Sequence, residues 1–278
     1  MDLQNQAKTY MLSNSNIQIM GIVNLTDDSF FHESCYGSQP PEAVVDVVEK
    51  MIGEGASIVD LGACSSRPGA TPVGPIEEWR RLGPVVKQLA GKGLPISVDT
   101  TSSVVVQKVY DTLGDFLVND ISCGNEDPAM LPLVGKLRLR YVAMHMRGTS
   151  AFMDSLTNYP LGVTAAVMAF FKDFTVKASD YGITDWILDP GFGFAKTIAQ
   201  NWEILRNLSE FTTFGRPILV GLSRKSMLYN PFGLSIEDSL TATQVANTLA
   251  LQGGATLLRV HDVPDTLRTV KMFEMTRR

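Results

Sequence analysis

The stretch Trp186-Ile187-Leu188-Asp189-Pro190-Gly191-Phe192-Gly193-Phe194-Ala195-Lys196 decides how the chain reads. Ile187 and Leu188 read as the end of a buried strand, and Asp189 sets a carboxylate at its tip. Pro190 lacks a backbone donor and Gly191 accepts unusual backbone angles, so strand pairing stops there. The expectation is an acid at a strand end, followed by a loop that lets backbone approach a ligand closely. An Asp-Pro turn, common wherever a strand stops, fits the same residues. The recurrence of the pattern along the chain favours a functional face.

Working outward, apolar runs at Ile17–Val23, Ser57–Leu61, Ile96–Val98, Phe116–Val118 and Tyr141–Met144 precede this stretch, and Ile218–Val220 and Thr256–Leu258 follow it. Helical spacing fills the intervals. One helix opens at Pro40-Pro41 and runs through Glu54, a second runs from Pro75 to about Ala90, and a third is capped by Ser102 or Ser103 and reaches Tyr110. A short helix is expected from Pro128. Longer ones are expected from about Gly162 to Ala178, over Ala199–Leu208, over Ser239–Leu251, and from Pro264 onward. Strand starts from near 17 to near 255 recur about every 34 residues, and one βαβ unit takes about 30. Continuous Val/Ile/Leu runs suit parallel strands covered on both faces. Eight such units in one chain predict an α/β fold, a closed (β/α)8 TIM barrel spanning 1–278 as a single domain. An open doubly wound sheet is the alternative; no GxGxxG follows the first strand, and no linker-like stretch divides the chain.

The 278 residues are 45% hydrophobic and 19% charged, with a formal net charge of −5. That composition builds a sizeable core and argues against a nucleic-acid surface. Cys35, Cys64 and Cys123 are odd in number and form no CxxC, so they read as free thiols of a reducing compartment. The N-terminal segment has no apolar core of a signal peptide. The run Leu161–Phe171 ends at Lys172 and is too short to span a bilayer. A cytoplasmic protein with no membrane or nucleic-acid partner is expected.

In a barrel the residues just after each strand converge on one face. Here those are Asn24, Ser65-Ser66-Arg67, Asp99, Asn119, His145, Asp189, Ser223-Arg224-Lys225 and Arg259-Val260-His261. Asp99, Asn119, Asp189 and Lys225 have the polarity to read a flat heterocycle. A 2-amino-4-oxo ring offers adjacent donors to a carboxylate and acceptors to lysine and amide groups. Asp99 also fits a helix-capping role shared with Thr100 or Ser102, and Asn119 fits a turn. Arg67, Arg259 and His261, with Asn24 beside them, form a cationic group suited to phosphate oxygens. Magnesium fits there, held by one amide oxygen, waters and a diphosphate. The expected picture is acids facing one half of a substrate and bases facing the other. The loop Leu25–Cys35 reads as a lid, and Met144, Met146 and Phe194 as apolar walls.

Eight motifs then carry a resemblance: MGIVNLTDDSF at 20–30, SSRPGATPV at 65–73, SVDT at 97–100, NDIS at 119–122, MHMRG at 144–148, LDPGFGFAK at 188–196, VGLSRKS at 220–226 and RVHDV at 259–263. Together they resemble the dihydropteroate synthase family over roughly residues 19 to 274. The resemblance implies a homodimeric barrel that is a sulfonamide target. It implies condensation of (7,8-dihydropterin-6-yl)methyl diphosphate with 4-aminobenzoate, giving dihydropteroate and diphosphate, by an SN1-like displacement. By motif position, the pterin would meet Asp99, Asn119, Ile121, Met144, Asp189, Phe194 and Lys225. The aminobenzoate would meet Phe30, Ser66, Arg67, Pro68, Phe194, Lys225 and Ser226. The diphosphate would meet Asn24, Arg67, Arg259 and His261, with magnesium on Asn24. Arg67, Lys225, Asp99 and Asp189 would be the catalytic set.

The chain departs from the family pattern in three places. Asp27 stands where proline is usual, His32 where aspartate is frequent, and Cys64-Ser65-Ser66 where Glu-Ser-Thr is common. These departures leave a non-catalytic pterin-binding paralogue as one alternative, and a pterin-binding methyltransferase domain as another. SRKS at 223–226 and Arg67 speak against the methyltransferase.

Overall fold

Val, Ile and Leu runs without polar alternation need cover on both faces, and eight of them lie side by side in one parallel sheet. The computed structural model describes residues 17–26, 36–64, 73–149 and 153–277. The strands are β1 (Gln18–Asn24), β2 (Ile58–Gly62), β3 (Ile96–Asp99), β4 (Leu117–Asp120), β5 (Arg140–Met144), β6 (Trp186–Asp189), β7 (Leu219–Val220) and β8 (Leu257–Val260). The helices among the described residues are α1 (Pro41–Gly53), α2 (Pro75–Leu89), α3 (Ser103–Leu113), α4 (Met130–Leu137), α5 (Val163–Asp180), α6 (Ile198–Arg206), α7 (Leu240–Gln252) and α8 (Val263–Met275). Strand order is β6-β5-β4-β3-β2-β1-β8-β7. A bridge between Leu188 and Ile218, with Leu188 N donating to Pro217 O at 2.9 Å, joins the two ends. The expected (β/α)8 barrel is what the chain forms.

The pleat then assigns every interior side chain. Met20, Ile58, Leu117, Val142, Ile187, Leu219 and Leu257 make a buried cluster of their own that plugs the barrel axis. Side chains two residues further along a strand share the same face. That places Asp60, Asn119, Met144, Asp189 and Arg259 in the layer above the plug. Ser97, in register with Asp60, joins them. Asn24, Gly62 and Asp99 lie in register one layer higher, at the carboxyl rim. A second cluster, between strands and helices, is the main core.

Local chemistry explains the helix starts. Ser102 Oγ accepts from Val105 N at 3.4 Å and caps α3. Thr197 and Gln200 form a reciprocal capping box at α6, each side chain taking the other's backbone N–H. Three expected elements differ in extent. β7 has only two residues, because Ile218 makes a single bridge to Leu188 and its N–H goes to Thr256 Oγ1 at 3.2 Å. The helix expected from Pro128 begins at Met130, because Asp127 takes the Ala129 N–H at 2.9 Å and holds a turn. The helix expected over Ala199–Leu208 ends at Arg206 and continues as a 3-10 segment, Leu208–Phe214.

Candidate active site

The site begins with the loop after β6. Gly191 has φ +69°, and a Cβ there would lie 2.1 Å from His145 O, so only glycine lets this loop pass against the loop after β5. Asp189 Oδ1 accepts from Gly191 N at 2.8 Å. Asp189 therefore holds the turn and also faces the barrel axis; its two readings are one geometry. Lys196 fastens the loop from behind. Its buried Nζ donates to His145 O at 3.2 Å, Gly191 O at 2.8 Å and Phe194 O at 2.9 Å. Burial pushes the Lys196 pKa well down, with the nearby Asp189 opposing that shift. Lys225, from the loop after β7, docks on this loop: its Nζ bonds Phe192 O and stands 4.6 Å above the Phe194 ring. Met144, Met146, Met153 and Ala195 cluster with Ile121 and Phe194 as an apolar wall. Of the residues expected along the pterin, Asp189, Lys225, Phe194, Ile121 and Met144 thus share one side of the site.

The other side is organised by Asp60, which sequence reading passed over. Asp60 is fully buried on β2. Its Oδ1 accepts from Ser97 Oγ at 2.5 Å. Its Oδ2 accepts from Asn119 Nδ2 at 2.9 Å and from Arg259 Nε at 2.7 Å. Arg259 Nη2 also donates to Asp99 Oδ2 at 3.0 Å. Acids and bases are therefore interleaved and not segregated as expected, with Arg259 bridging two carboxylates on the acid side. Burial opposes the Arg259 charge, but the fields of Asp60 and Asp99 outweigh it and raise its pKa. Asp99 does not cap α3, since Ser102 has that place. Asn119 is a strand residue on β4, not part of a turn. Asn24 Oδ1 lies 3.5 Å, and Asp99 Oδ2 3.8 Å, from where a Cβ on Gly62 would sit, so both side chains lie beside this glycine.

Burial sets the charge states. It raises Asp99 to about 7, with Arg259 opposing and Asp60, Glu78 and Asp120 adding to the rise. It raises Asp189, against the Gly191 hydrogen bond and the charges of Lys225, Lys196 and Arg259. It lowers Lys225 to about 8, against the pull of Asp189. His261 sits after β8 with Nδ1 2.9 Å from Ser223 Oγ, and burial beside Arg259, Arg224 and Lys225 lowers it to about 3. Neutral, it offers hydrogen bonds and not charge to an anion. Arg224 is drawn out of the site by a buried pair with Asp262 at 2.8 Å. Ser226 is exposed and opens a single 3-10 turn, Ser226–Leu228. Cys64 is partly buried, and burial with Glu78 nearby raises its thiol pKa, which disfavours a nucleophilic thiolate.

His145 corrects an expectation. It follows β5 as a tip residue, but Met144 faces inward, so the next side chain points out of the barrel. Its ring packs edge-on against Phe170 of α5 at 5.1 Å, and its Nδ1 is buried without a partner. Phe30, Ser66, Arg67 and Pro68, along with Asp27, His32, Cys35 and Ser65, lie outside the described residues.

A parallel (β/α)8 barrel with buried acids, an amide and a lysine converging at the carboxyl ends of its strands defines a barrel enzyme with an axial site. A family profile described as pterin binding enzyme matches residues 20–261. The dihydropteroate synthase of Haemophilus influenzae is 37% identical over 262 residues, 93% of this chain and 94% of that protein. A crystal structure of Yersinia pestis dihydropteroate synthase with a sulfonamide drug complex superposes with TM-score 0.88 at 33% identity, covering 94% of each chain. A dihydropteroate synthase from Clostridium difficile, crystallised in the presence of pteroic acid, superposes with TM-score 0.85 at 33% identity, covering 96% of this chain and all of that one. The chain belongs to the pterin binding enzymes and, within them, to the dihydropteroate synthases.

Proposed function

We propose that the chain condenses (7,8-dihydropterin-6-yl)methyl diphosphate with 4-aminobenzoate to form dihydropteroate and diphosphate. The observation that carries this reading is the axial set of Asp99, Asn119, Asp189 and Lys225 above an apolar plug, in a chain of this family. In this reading the ring's N–H donors are taken by Asp189 and Asp99, and its carbonyl by Lys225. At neutral pH Lys225 is mostly protonated, given its pKa of about 8. Asp99, near 7, gains its charge most readily when ring donors hydrogen-bond its carboxylate.

The aryl amine is a weak base, so a general base contributes little. The C–O bond to diphosphate breaks first and its electron pair leaves with the diphosphate. The pterin ring, held between two carboxylates, delocalises the positive charge left on carbon. The amine lone pair then forms the C–N bond, and the anilinium proton passes to solvent. Water must be kept out while the cation lives. Arg67, Arg259 and His261 belong to the diphosphate side of this proposal. Phe30, Ser66, Arg67, Pro68, Phe194, Lys225 and Ser226 belong to the aminobenzoate side.

Magnesium belongs to the same proposal. Among the described residues no group of three or more His, Cys, Asp or Glu side chains could hold a metal. Magnesium keeps waters and binds through few protein oxygens plus substrate phosphates, so it needs no such group. Asn24, whose side-chain oxygen stands beside Gly62 at the carboxyl end of β1, would hold it. When bound it would supply charge for the leaving group.

A homodimer and a cytoplasmic site complete the reading. α7 and α8 expose Val245, Leu249, Met272 and Met275, and Val245 and Met272 line a groove of about 820 Å³ between them. No described helix is long and apolar enough to cross a membrane. The test of the reading is dihydropteroate and diphosphate formation from the two substrates, with and without magnesium, with sedimentation reporting a mass near twice 30.4 kDa. Pterin binding without diphosphate release would identify a non-catalytic relative and refute the reading.

A further inference from the structure

We infer that Asp60 is a positioning residue: a buried carboxylate that sets the Arg259 guanidinium and the Asn119 amide in the orientation in which they meet the pterin substrate. The inference rests on the proposed function. Asp60 occupies the middle interior position of β2, between Ile58 in the plug and Gly62 at the rim. No solvent reaches it, so substrate approaching from the rim meets its partners first. Its two oxygens have separate tasks. Oδ1 is anchored by Ser97 Oγ at 2.5 Å, on the neighbouring strand. Oδ2 carries Asn119 Nδ2 at 2.9 Å and Arg259 Nε at 2.7 Å together.

This division matters for both partners. An amide side chain can turn over about its last torsion, exchanging oxygen for nitrogen. Tying Nδ2 to Asp60 commits the Asn119 oxygen to face away as an acceptor. Arg259 is gripped by its Nε edge, which leaves the outer nitrogens directed past Asp60. One of these, Nη2, holds Asp99 at 3.0 Å. Asp99 is partly exposed where Asp60 is not. A ligand that claims Asp99 therefore competes for the outer Arg259 contact while the inner one to Asp60 persists. Arg259 can exchange a partner at its tip without losing its place.

Three measurements test this. Pteroic acid binding is read by calorimetry. KM for each substrate is read from turnover. Thermal melting separates folding from positioning. Asp60→Asn keeps the shape but removes the charge that holds Nε, and breaking one side of a buried pair is costly. Pteroic acid affinity and the pterin-side kcat/KM should fall about thirtyfold or more, while KM for 4-aminobenzoate changes less than about twofold. If Asp60 acts through Arg259, the same change in an Arg259→Ala background should cost about tenfold less in affinity for (7,8-dihydropterin-6-yl)methyl diphosphate, whose diphosphate Arg259 meets.

Ser97→Ala serves if Asp60→Asn does not fold. It touches no proposed ligand group, frees Oδ1, and should weaken pteroic acid about three- to tenfold with melting held within a few degrees. Unchanged pteroic acid affinity in the folded variant, equal losses on both substrates, or an undiminished loss in the Arg259→Ala background would overturn the inference. Wild-type protein that binds pteroic acid but does not turn over leaves the binding comparison decisive for Asp60 and refutes only the catalytic reading. Wild-type protein that binds no pteroic acid overturns both.

Discussion

Lys196→Met is the sharpest probe of how the site is held. Lys196 reaches no proposed substrate group; its ammonium is spent on the carbonyls of His145, Gly191 and Phe194. Methionine matches its length and apolar stem but donates nothing. Gly191 O keeps a bond from Phe194 N at 3.2 Å, whereas the other two carbonyls lose the lysine as donor. Leaving a buried acceptor unpaired costs about 1–3 kcal/mol, so the two lost bonds cost about 2–6 kcal/mol. Relief of burying an ammonium, visible in its depressed pKa, offsets part of this. A net loss of about 3 kcal/mol follows. In a chain of this size about 1 kcal/mol moves the melting temperature by roughly 2–4 °C, which gives a fall of roughly 6–12 °C. The loop also carries Asp189 and the seat of Lys225, so pteroic acid binding should weaken about tenfold or more. Differential scanning calorimetry and titration calorimetry read both. A melting temperature within 2 °C of wild type together with unchanged affinity would refute the view that Lys196 holds this loop in shape.

Two other changes separate backbone from side-chain effects. Gly191→Ala and Gly182→Ala both place alanine at positive φ, +69° and +70°, but only Gly191 has a neighbour that a Cβ would strike. Gly182→Ala should cost about 1–2 kcal/mol of strain, and Gly191→Ala clearly more, with loss of pteroic acid binding; equal costs in denaturant titration would contradict the close approach to His145 O. His145→Phe tests the orphaned imidazole. Burial beside Lys196 and Arg147 holds His145 near 2 in the fold, against about 6.5 when unfolded. Between those values only the unfolded chain binds the proton, so stability present above pH 6.5 is lost as pH falls. Denaturant titrations at about pH 6.5 and 5 should show wild type losing about 1.7 kcal/mol more than the variant. Equal losses would place the ring in a less buried setting.

The barrel was legible because parallel strands covered on both faces leave a distinctive trace: short runs of Val, Ile and Leu, each ending in one polar residue. Asp99, Asn119, Asp189 and Arg259 stand out as polar residues at the ends of apolar runs, and the pleat brings them to one axis, while Lys225 reaches it from the loop after β7. Asp60 did not stand out, because SIVDL reads simply as a strand, and in SVDT the rim residue Asp99 drew the reading and Ser97 beside it had no role assigned. Their role appears only when three strands are in register. The Arg259–Asp60 bond joins residues 199 positions apart, and no local pattern encodes it. His145 misled for the opposite reason: proximity to a strand end does not say which face a side chain takes, and one residue of offset reverses it. Lys196 closed a recognisable motif, yet its three carbonyl partners lie on two loops that meet only in the folded chain.

The most direct test of the whole account is titration of pteroic acid into wild-type protein and into Asp189→Asn. The amide keeps the size of the carboxylate and can still accept from Gly191 N, but it gives up the charge that meets the ring donors. The account predicts binding weakened about a hundredfold or more, with folding intact. Binding within about threefold of wild type would contradict an axial pterin site built on this acid.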